Sequence, residues 1–273
     1  MSAASSYALG YSAEEERRLA LQGRLYERLT EDVLRHAGIG DGMHVLDVGC
    51  GIGDVSLLAA RLVGSSGSVI GIDRAEESIQ SARRRAMSLG IENVTFIAAD
   101  ISTFATDNVF DAIIGRLVLL YLPDPSKTLR HLSSYLHPGG LVAFQEMDMS
   151  TFIPPGSPAL MTRVLTWAYD AFGASGAERE MGPKLPDIFI NAGLPRPEMI
   201  AGQKITSWVD PDVHAILAGL ARSLLPVLER SKIATAKEVD VDTLADRLRD
   251  EGIEKGESLA YWPRLVGAWA RTS

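Results

Sequence analysis

The residues best able to do chemistry gather in His44–Val55, HVLDVGCGIGDV. Val45, Leu46 and Val48 make a buried strand, Gly49, Gly51 and Gly53 a glycine-rich turn, and Asp54 the start of a helix. Such a turn lets the backbone approach a ligand where a Cβ would collide. The helix N-terminus behind it offers unpaired N–H groups to anything anionic. The dinucleotide spacing G-x-G-x-x-G needs a third glycine where this chain has Asp54, whose carboxylate would face a pyrophosphate, and the lysine of a P-loop is missing. Two further acids follow strands. Asp73 ends VIGID, 20 residues after Gly53, where a carboxylate can accept both hydroxyls of a ribose. Its neighbour Arg74 can lie flat on a purine face. Asp100, in FIAAD, can accept from an exocyclic adenine amine while Ile101 packs on the ring.

A second set offers candidate bases. Glu146 and Asp148 lie in QEMDM at the end of a strand, where alternation puts both acids on one face and Met147 and Met149 on the other. That leaves the acids open to a role as base or as a solvated strand end, and the methionines suit an adaptable apolar pocket. His214 borders the buried stripe of a later helix and is a candidate base or ligand. His131 and His137 read as structural, and no metal is expected. Gln22 interrupts an apolar stripe between Leu19 and Leu25, so its amide needs partners, from a ligand or from backbone and water. Tyr7 and Tyr11 stand ahead of that helix, as an aromatic lid or as a loose terminus.

The elements that must position these residues come in order. Ser12-Ala13-Glu14-Glu15 has the spacing of a capping box for a first helix ending at Gly38. The strand of Val45, Leu46 and Val48 and further strands at Ser68–Ile72, Val94–Ala98, Val109–Ile114 and Leu141–Met147 then alternate with helices. The last of these helices is opened by Asp124-Pro125, and Pro138-Gly139-Gly140 turns into the fifth strand. Helices of that length between strands imply a parallel sheet covered on both faces. Ligands then gather at the carboxyl ends of the strands, which puts Gly49–Gly53, Asp73, Asp100, Arg116 and Glu146 along one rim. After Pro154-Pro155-Gly156 the rhythm changes: helices near 158–192 and 211–255, the later one bent at Pro226, and strands at Glu198–Trp208 and Arg264–Arg271.

Asp47-Val48-Gly49-Cys50-Gly51-Ile52-Gly53 resembles motif I of the class I S-adenosylmethionine-dependent methyltransferases. The phrasing at 46–53 and 136–141 is similar to that of the ubiquinone/menaquinone-biosynthesis-like small-molecule group. The resemblance covers about 40–148 of the chain. It implies an α/β, Rossmann-like, seven-stranded and mostly parallel sheet with an antiparallel last strand, plus an N-terminal helix and helical lid insertions. Residues 1–39 would be an N-terminal helical lid, 40–150 the S-adenosylmethionine-binding core, and 151–273 a helical substrate lid with the strand pair that completes the sheet. Glu198–Trp208 and Arg264–Arg271 would be that pair. The resemblance further implies that Gly49 and Gly51 bear on the methionyl part, Asp73 and Arg74 on ribose and adenine, and Asp100 and Ile101 on adenine. Arg116 or Leu117 would flank the sulfonium. An arginine there suits a carboxylate of cofactor or substrate, or an ion pair on the surface. Gly115-Arg116-Leu117-Val118 lacks the N/D-P-P-Y signature of nucleic-acid amine methylases.

Bulk properties agree. The 273 residues are 46% apolar, enough for a full core. A net charge of −8 and a pI near 5.2 leave no basic surface for nucleic acid or an anionic membrane. The one cysteine, Cys50, fits a reducing cytosol and reads as packing in the turn. Met1–Gly10 lacks the pattern of a signal peptide, and the apolar run at 112–122 is broken by Arg116. The expectation is a cytoplasmic enzyme, monomer or homodimer, that methylates an apolar or aromatic small molecule. The alternative is a protein that binds S-adenosylmethionine for a non-methylating reaction or for sensing.

Overall fold

Apolar runs set between glycine and proline breaks form strands, and the stripes with helical spacing between them form helices. The computed structural model describes residues 13–151, 153, 157–208, 210–255 and 259–272. In chain order these form α1 (Ala13–Ala37), β1 (His44–Val48), α2 (Asp54–Val63), β2 (Ser68–Asp73), α3 (Glu76–Leu89), β3 (Val94–Ala98), β4 (Phe110–Arg116), α4 (Pro125–Ser133) and β5 (Leu136–Asp148). There follow α5 (Ala159–Ala174), α6 (Met181–Ala192), β6 (Glu198–Gly202), β7 (Ile205–Ser207), α7 (Pro211–Arg230), α8 (Ala236–Val239), α9 (Leu244–Lys255), β8 (Leu259–Tyr261) and β9 (Arg264–Arg271). Two compact units divide them. A core unit comprises Tyr26–Met147, Met181–Gly202 and Leu265–Ser273, and a helical unit comprises Met1–Leu25, Asp148–Glu180 and Gln203–Arg264.

The core unit holds a seven-stranded sheet in the order β3-β2-β1-β4-β5-β9-β6. β1 pairs in parallel with β2 and β4, β2 with β3, and β4 with β5. β6 runs antiparallel to β9, with Ile200 opposite Gly267. The chain reverses its winding between β1 and β4, and open α/β sheets bind ligands at the carboxyl ends beside such a reversal. Apolar clusters among the described residues cover the sheet. One joins Val33 and Leu34 of α1 and Val55 and Leu58 of α2 to Val45, Val69, Ile114 and Leu141. Another joins Leu57, Ile79, Ala82 and Phe96 to Cys50. Cys50 is thus a packing residue, and burial pushes its thiol well above the usual range.

Local signals place the helix starts. Asp124 accepts the Lys127 N–H at 2.9 Å with Pro125 at the first helical position, and Asp210 accepts the Asp212 N–H at 3.0 Å ahead of Pro211. Ser12 of the expected first capping box lies outside the described residues. A capping box that sequence reading passed over pairs Thr235 with Glu238 at α8.

Three expectations change. β5 starts at Leu136, so Pro138-Gly139-Gly140 is a bulge within the strand: the register moves from Phe110 opposite Leu136 to Ala112 opposite Leu141, with Gly139 at φ +75°. The single strand foreseen over Glu198–Trp208 is two. β6 stops at Gly202, where a Cβ would stand 2.6 Å from Leu29 Cδ2, and β7 pairs with β8 in a separate two-stranded sheet of the helical unit. Finally, α6 belongs to the core unit, although it was expected among the lid helices.

In the helical unit α7 packs on α5 and α9. Its length and composition are those of a membrane-crossing helix, yet Val213, Ile216, Leu217, Leu220 and Leu224 are buried, as in the core helix of a soluble fold. Pro226 lies inside α7, which continues to Arg230. Met161, Trp167 and Phe172 of α5 are buried. Tyr169 carries the Arg179 guanidinium 3.9 Å above its ring.

Candidate active site

β1 delivers Asp47 to the middle of the sheet and ends in the glycine turn. Asp47 is 1% exposed; its Oδ2 accepts the Ser56 hydroxyl at 2.5 Å, and its Oδ1 has no protein partner. Leaving a buried acceptor unpaired costs about 1–3 kcal/mol. Burial raises the Asp47 pKa to about 7, against the Ser56 hydrogen bond and the positive charge of Arg116. Sequence reading quoted Asp47 within the motif without giving it a role, although a charged residue inside a central strand was itself a signal.

The turn is held from both sides. The Cys50 N–H donates to Ile72 O and the Gly53 N–H to Cys50 O, each at 2.9 Å. Gly49 and Gly51 take left-handed φ values of +67° and +52°. A Cβ on Gly49 would run into Val118 Cγ2, whereas a Cβ on Gly51 would meet nothing within 4 Å. Gly49 is therefore required by the fold, and Gly51 leaves an open face for a ligand.

Asp73, at the end of β2, accepts the Gly51 N–H through Oδ2 and the Ala75 N–H through Oδ1, both at 2.9 Å. Asp100 is exposed and accepts the Ser102 hydroxyl at 2.5 Å and the Ser102 N–H at 2.8 Å. Those bonds hold its carboxyl below the usual range, helped by the charge of Arg74. Ile101 Cδ1 lies 3.7 Å from where a Gly49 Cβ would stand. The core unit therefore brings Gly49, Gly51, Asp73, Arg74, Asp100 and Ile101 to neighbouring strand ends.

Arg116, foreseen for a ligand carboxylate or a surface ion pair, meets protein partners. Its side chain is 9% exposed; Nη1 donates to Thr30 Oγ1 at 3.0 Å, and Nη2 lies 3.8 Å from Asp54 Oδ2. Arg85 Nη2 holds the other Asp54 oxygen at 2.6 Å. The Thr30 hydroxyl donates in turn to Gln145 Oε1 at 2.8 Å. Arg116 thus ties α1, α2 and β5 together. Neither Thr30 nor Gln145 was singled out from the sequence.

Glu146 was foreseen as a base at the rim or as a solvated strand end, and in the structure it is a buried hydrogen-bond acceptor. It is 0% exposed, and its Oε1 accepts the Val118 N–H at 3.0 Å and the Leu119 N–H at 2.8 Å. Burial raises its pKa to about 8, against the hydrogen bonds from the Leu119, Val118 and Leu120 amides. The residue before those amides, Leu117, has φ +57°. A left-handed leucine costs about 1–3 kcal/mol, which the surrounding hydrogen bonds, each worth about 0.5–1.5 kcal/mol, can offset.

The other candidates lie in the helical unit. Gln22 Oε1 accepts from Arg18 Nη1 at 2.5 Å, so a protein partner meets the need that a ligand was one way to fill. Arg18 also grips both Glu15 oxygens, at 2.6 and 2.8 Å, and the Ser223 hydroxyl donates to Glu15 at 2.6 Å. His214 is buried edge-to-face on Trp208, 5.2 Å between ring centroids, with Nε2 unpartnered. Burial lowers its pKa below the ordinary histidine value. Asp148 is buried and ion-paired with Arg264, not solvated. Tyr7 and Tyr11 lie outside the described residues. Among the described residues no cluster of His, Cys, Asp or Glu could hold a metal ion.

Residues 39–182 match the profile of a family described as a methyltransferase domain. The chain is 35% identical over 130 residues to an aklanonic acid methyltransferase of Streptomyces sp. strain C5, covering 45% of this chain and 59% of that protein. It is 33% identical over 120 residues to the demethylmenaquinone methyltransferase of Staphylococcus aureus, covering 44% and 49%. The similarity therefore spans about half the length of these relatives. Among solved structures, the YcgJ protein of Bacillus subtilis superposes with a TM-score of 0.59 at 16% identity, covering 90% of this chain and 98% of that one, a likeness of fold alone. With the profile spanning more than half of its length, the chain belongs to the methyltransferase domain family.

Proposed function

We propose that this chain transfers a methyl group from S-adenosylmethionine to an apolar or aromatic small-molecule metabolite, by O-, N- or C-methylation in secondary or quinone-type metabolism. The observation that carries the reading is the constellation around the glycine turn: Gly51 with an open face, Asp73 bonded to its amide, and Asp47 with a buried, unpartnered oxygen. These residues fit a ligand with a vicinal diol at one end and a cationic amine at the other. Membership of the methyltransferase domain family supports it, as do relatives named for aklanonic acid and demethylmenaquinone.

When bound, S-adenosylmethionine supplies an electrophilic methyl group on a sulfonium. Asp73 would accept the ribose hydroxyls, Arg74 and Ile101 would flank the adenine, and Asp100 would accept its amine. Gly51 would make room for the methionyl part in the turn that Gly49 packs against Val118, and the unpartnered Asp47 Oδ1 would be the acceptor for the ammonium. In-line methyl transfer gains most from holding acceptor and methyl close and collinear. A base is required only for an acceptor protonated at neutral pH. We place the enzyme in the cytoplasm, as monomer or homodimer; its net charge of −8 disfavours nucleic acid and anionic membranes as partners.

The test is turnover on a panel of phenols, quinols and apolar amines. S-adenosylhomocysteine appearing in proportion to methylated product is the expected result. Cofactor binding without methyl transfer to any acceptor would favour the non-methylating use of the fold.

A further inference from the structure

The turn that follows β4 is held by a side chain from β5. Leu117 leaves β4 in the left-handed region, with its N–H on Gln145 O at 2.9 Å. The next two amides, Val118 and Leu119, both point at Glu146 Oε1. So held, Val118 presses on the glycine turn: its Cγ2 fills the space that a Cβ on Gly49 would need, and its Cγ1 lies 3.1 Å from a Cβ built on Gly115. The chain of contacts runs from Glu146 through Val118 to Gly49, and nothing in it requires the carboxyl to give up or take a proton.

We propose that Glu146 is a positioning residue for the cofactor site: as a hydrogen-bond acceptor it fixes the Leu117–Leu119 turn, and through Val118 it sets the wall against which the Gly49 turn is built. The chemistry supports acceptance over proton transfer. A base must present a lone pair to the substrate, and Glu146 has no exposed surface. Oε1 can accept two N–H groups whether the carboxyl is ionised or carries its proton on Oε2. A glutamine carbonyl can accept them too, with its amide nitrogen in place of Oε2, which has no hydrogen-bond partner. An alanine leaves two buried amides without an acceptor and frees the left-handed turn. The raised pKa, about 8, agrees with a neutral acid that works as a carbonyl.

The inference rests on the S-adenosylmethionine reading for its second half only, so the experiment has two arms. In the first, amide hydrogen exchange is followed at Val118 and Leu119 in the ligand-free wild type, Glu146→Gln and Glu146→Ala. Protection should persist in the wild type and the glutamine variant and fall about tenfold or more in the alanine variant. Fast exchange of both amides in the wild type overturns the proposal whatever the cofactor is. In the second, calorimetry measures S-adenosylhomocysteine affinity, which requires no acceptor. Glu146→Ala should weaken binding about tenfold or more, with Glu146→Gln within about threefold of wild type. Wild-type affinity in Glu146→Ala overturns the positioning role. Absence of binding by the wild type refutes the cofactor reading instead and leaves the first arm standing. Should Glu146→Ala fail to fold, Val118→Ala takes its place: it keeps the two hydrogen bonds and removes the wall, so affinity should fall while amide protection persists. Unchanged affinity in Val118→Ala counts against the proposal.

Discussion

The Asp73 carboxylate accepts the Gly51 N–H at 2.9 Å, which ties the end of β2 to the middle of the glycine turn. One acid therefore shapes the turn and stands beside its open face.

Replacing that acid should act on binding. Asp73→Ala is expected to weaken S-adenosylhomocysteine binding by about 1.5–3 kcal/mol, the range for hydrogen bonds to a charged group. Calorimetry on the purified variant measures this, and an unchanged affinity would remove Asp73 from the site.

Gly49 and Gly51 should separate stability from binding. Gly49→Ala puts a methyl into Val118 at a left-handed position and should destabilise the fold by about 1–3 kcal/mol. Gly51→Ala meets no protein atom, so its cost is the left-handed strain of about 1–2 kcal/mol. Its methyl occupies the face left for the ligand, so cofactor affinity should fall more than strain alone accounts for. Denaturant midpoints and calorimetry on both variants check the contrast; equal effects on both readouts would contradict it.

Asp47 and Glu146 set a pH dependence. Their folded pKa values, about 7 and about 8, lie above the ordinary 3.8 and 4.5. Between each pair of values the folded chain holds a proton that the unfolded chain has released. Stability from this source is therefore complete below the ordinary values and lost as pH rises through the folded ones. The ligand-free melting temperature should fall between about pH 5 and about pH 8, and fall less steeply in Asp47→Asn. Parallel curves for the two proteins would show that Asp47 does not titrate in this window.

Gly252 reports on the helical unit. A Cβ there would overlap the Trp208 indole, which is fully buried and donates its N–H to Leu248 O at 3.1 Å. Gly252→Ala should cost about 1–3 kcal/mol or more from overpacking. Tryptophan fluorescence during urea unfolding would register it, and a wild-type midpoint would mean that the indole relocates freely.

The sheet was legible because its signals are local and repeated: a glycine turn after β1, acids at the ends of β2 and β3, and Asp-Pro opening α4. β7 and β8 were not, because each is three residues long and they pair with each other across 52 residues at the nearest aligned positions, Ser207 and Leu259. Arg116 and Glu146 were placed at the right strand ends, but spacing does not reveal what a side chain meets there. Arg116 turns to Thr30 on α1, and Glu146 turns to two backbone amides, partners that only tertiary structure brings near. Asp47 was in plain view as a charge within a buried strand; its meaning lies in the missing partner of Oδ1, which no sequence displays.

The central claim is that the turn at Gly49–Gly53 holds S-adenosylmethionine. Its most direct test is calorimetric titration of the purified chain with S-adenosylhomocysteine, with NADH as the control. The account predicts saturable binding at one site per chain, weakened in Asp73→Ala, and no heat from NADH. Binding of NADH without S-adenosylhomocysteine would contradict it.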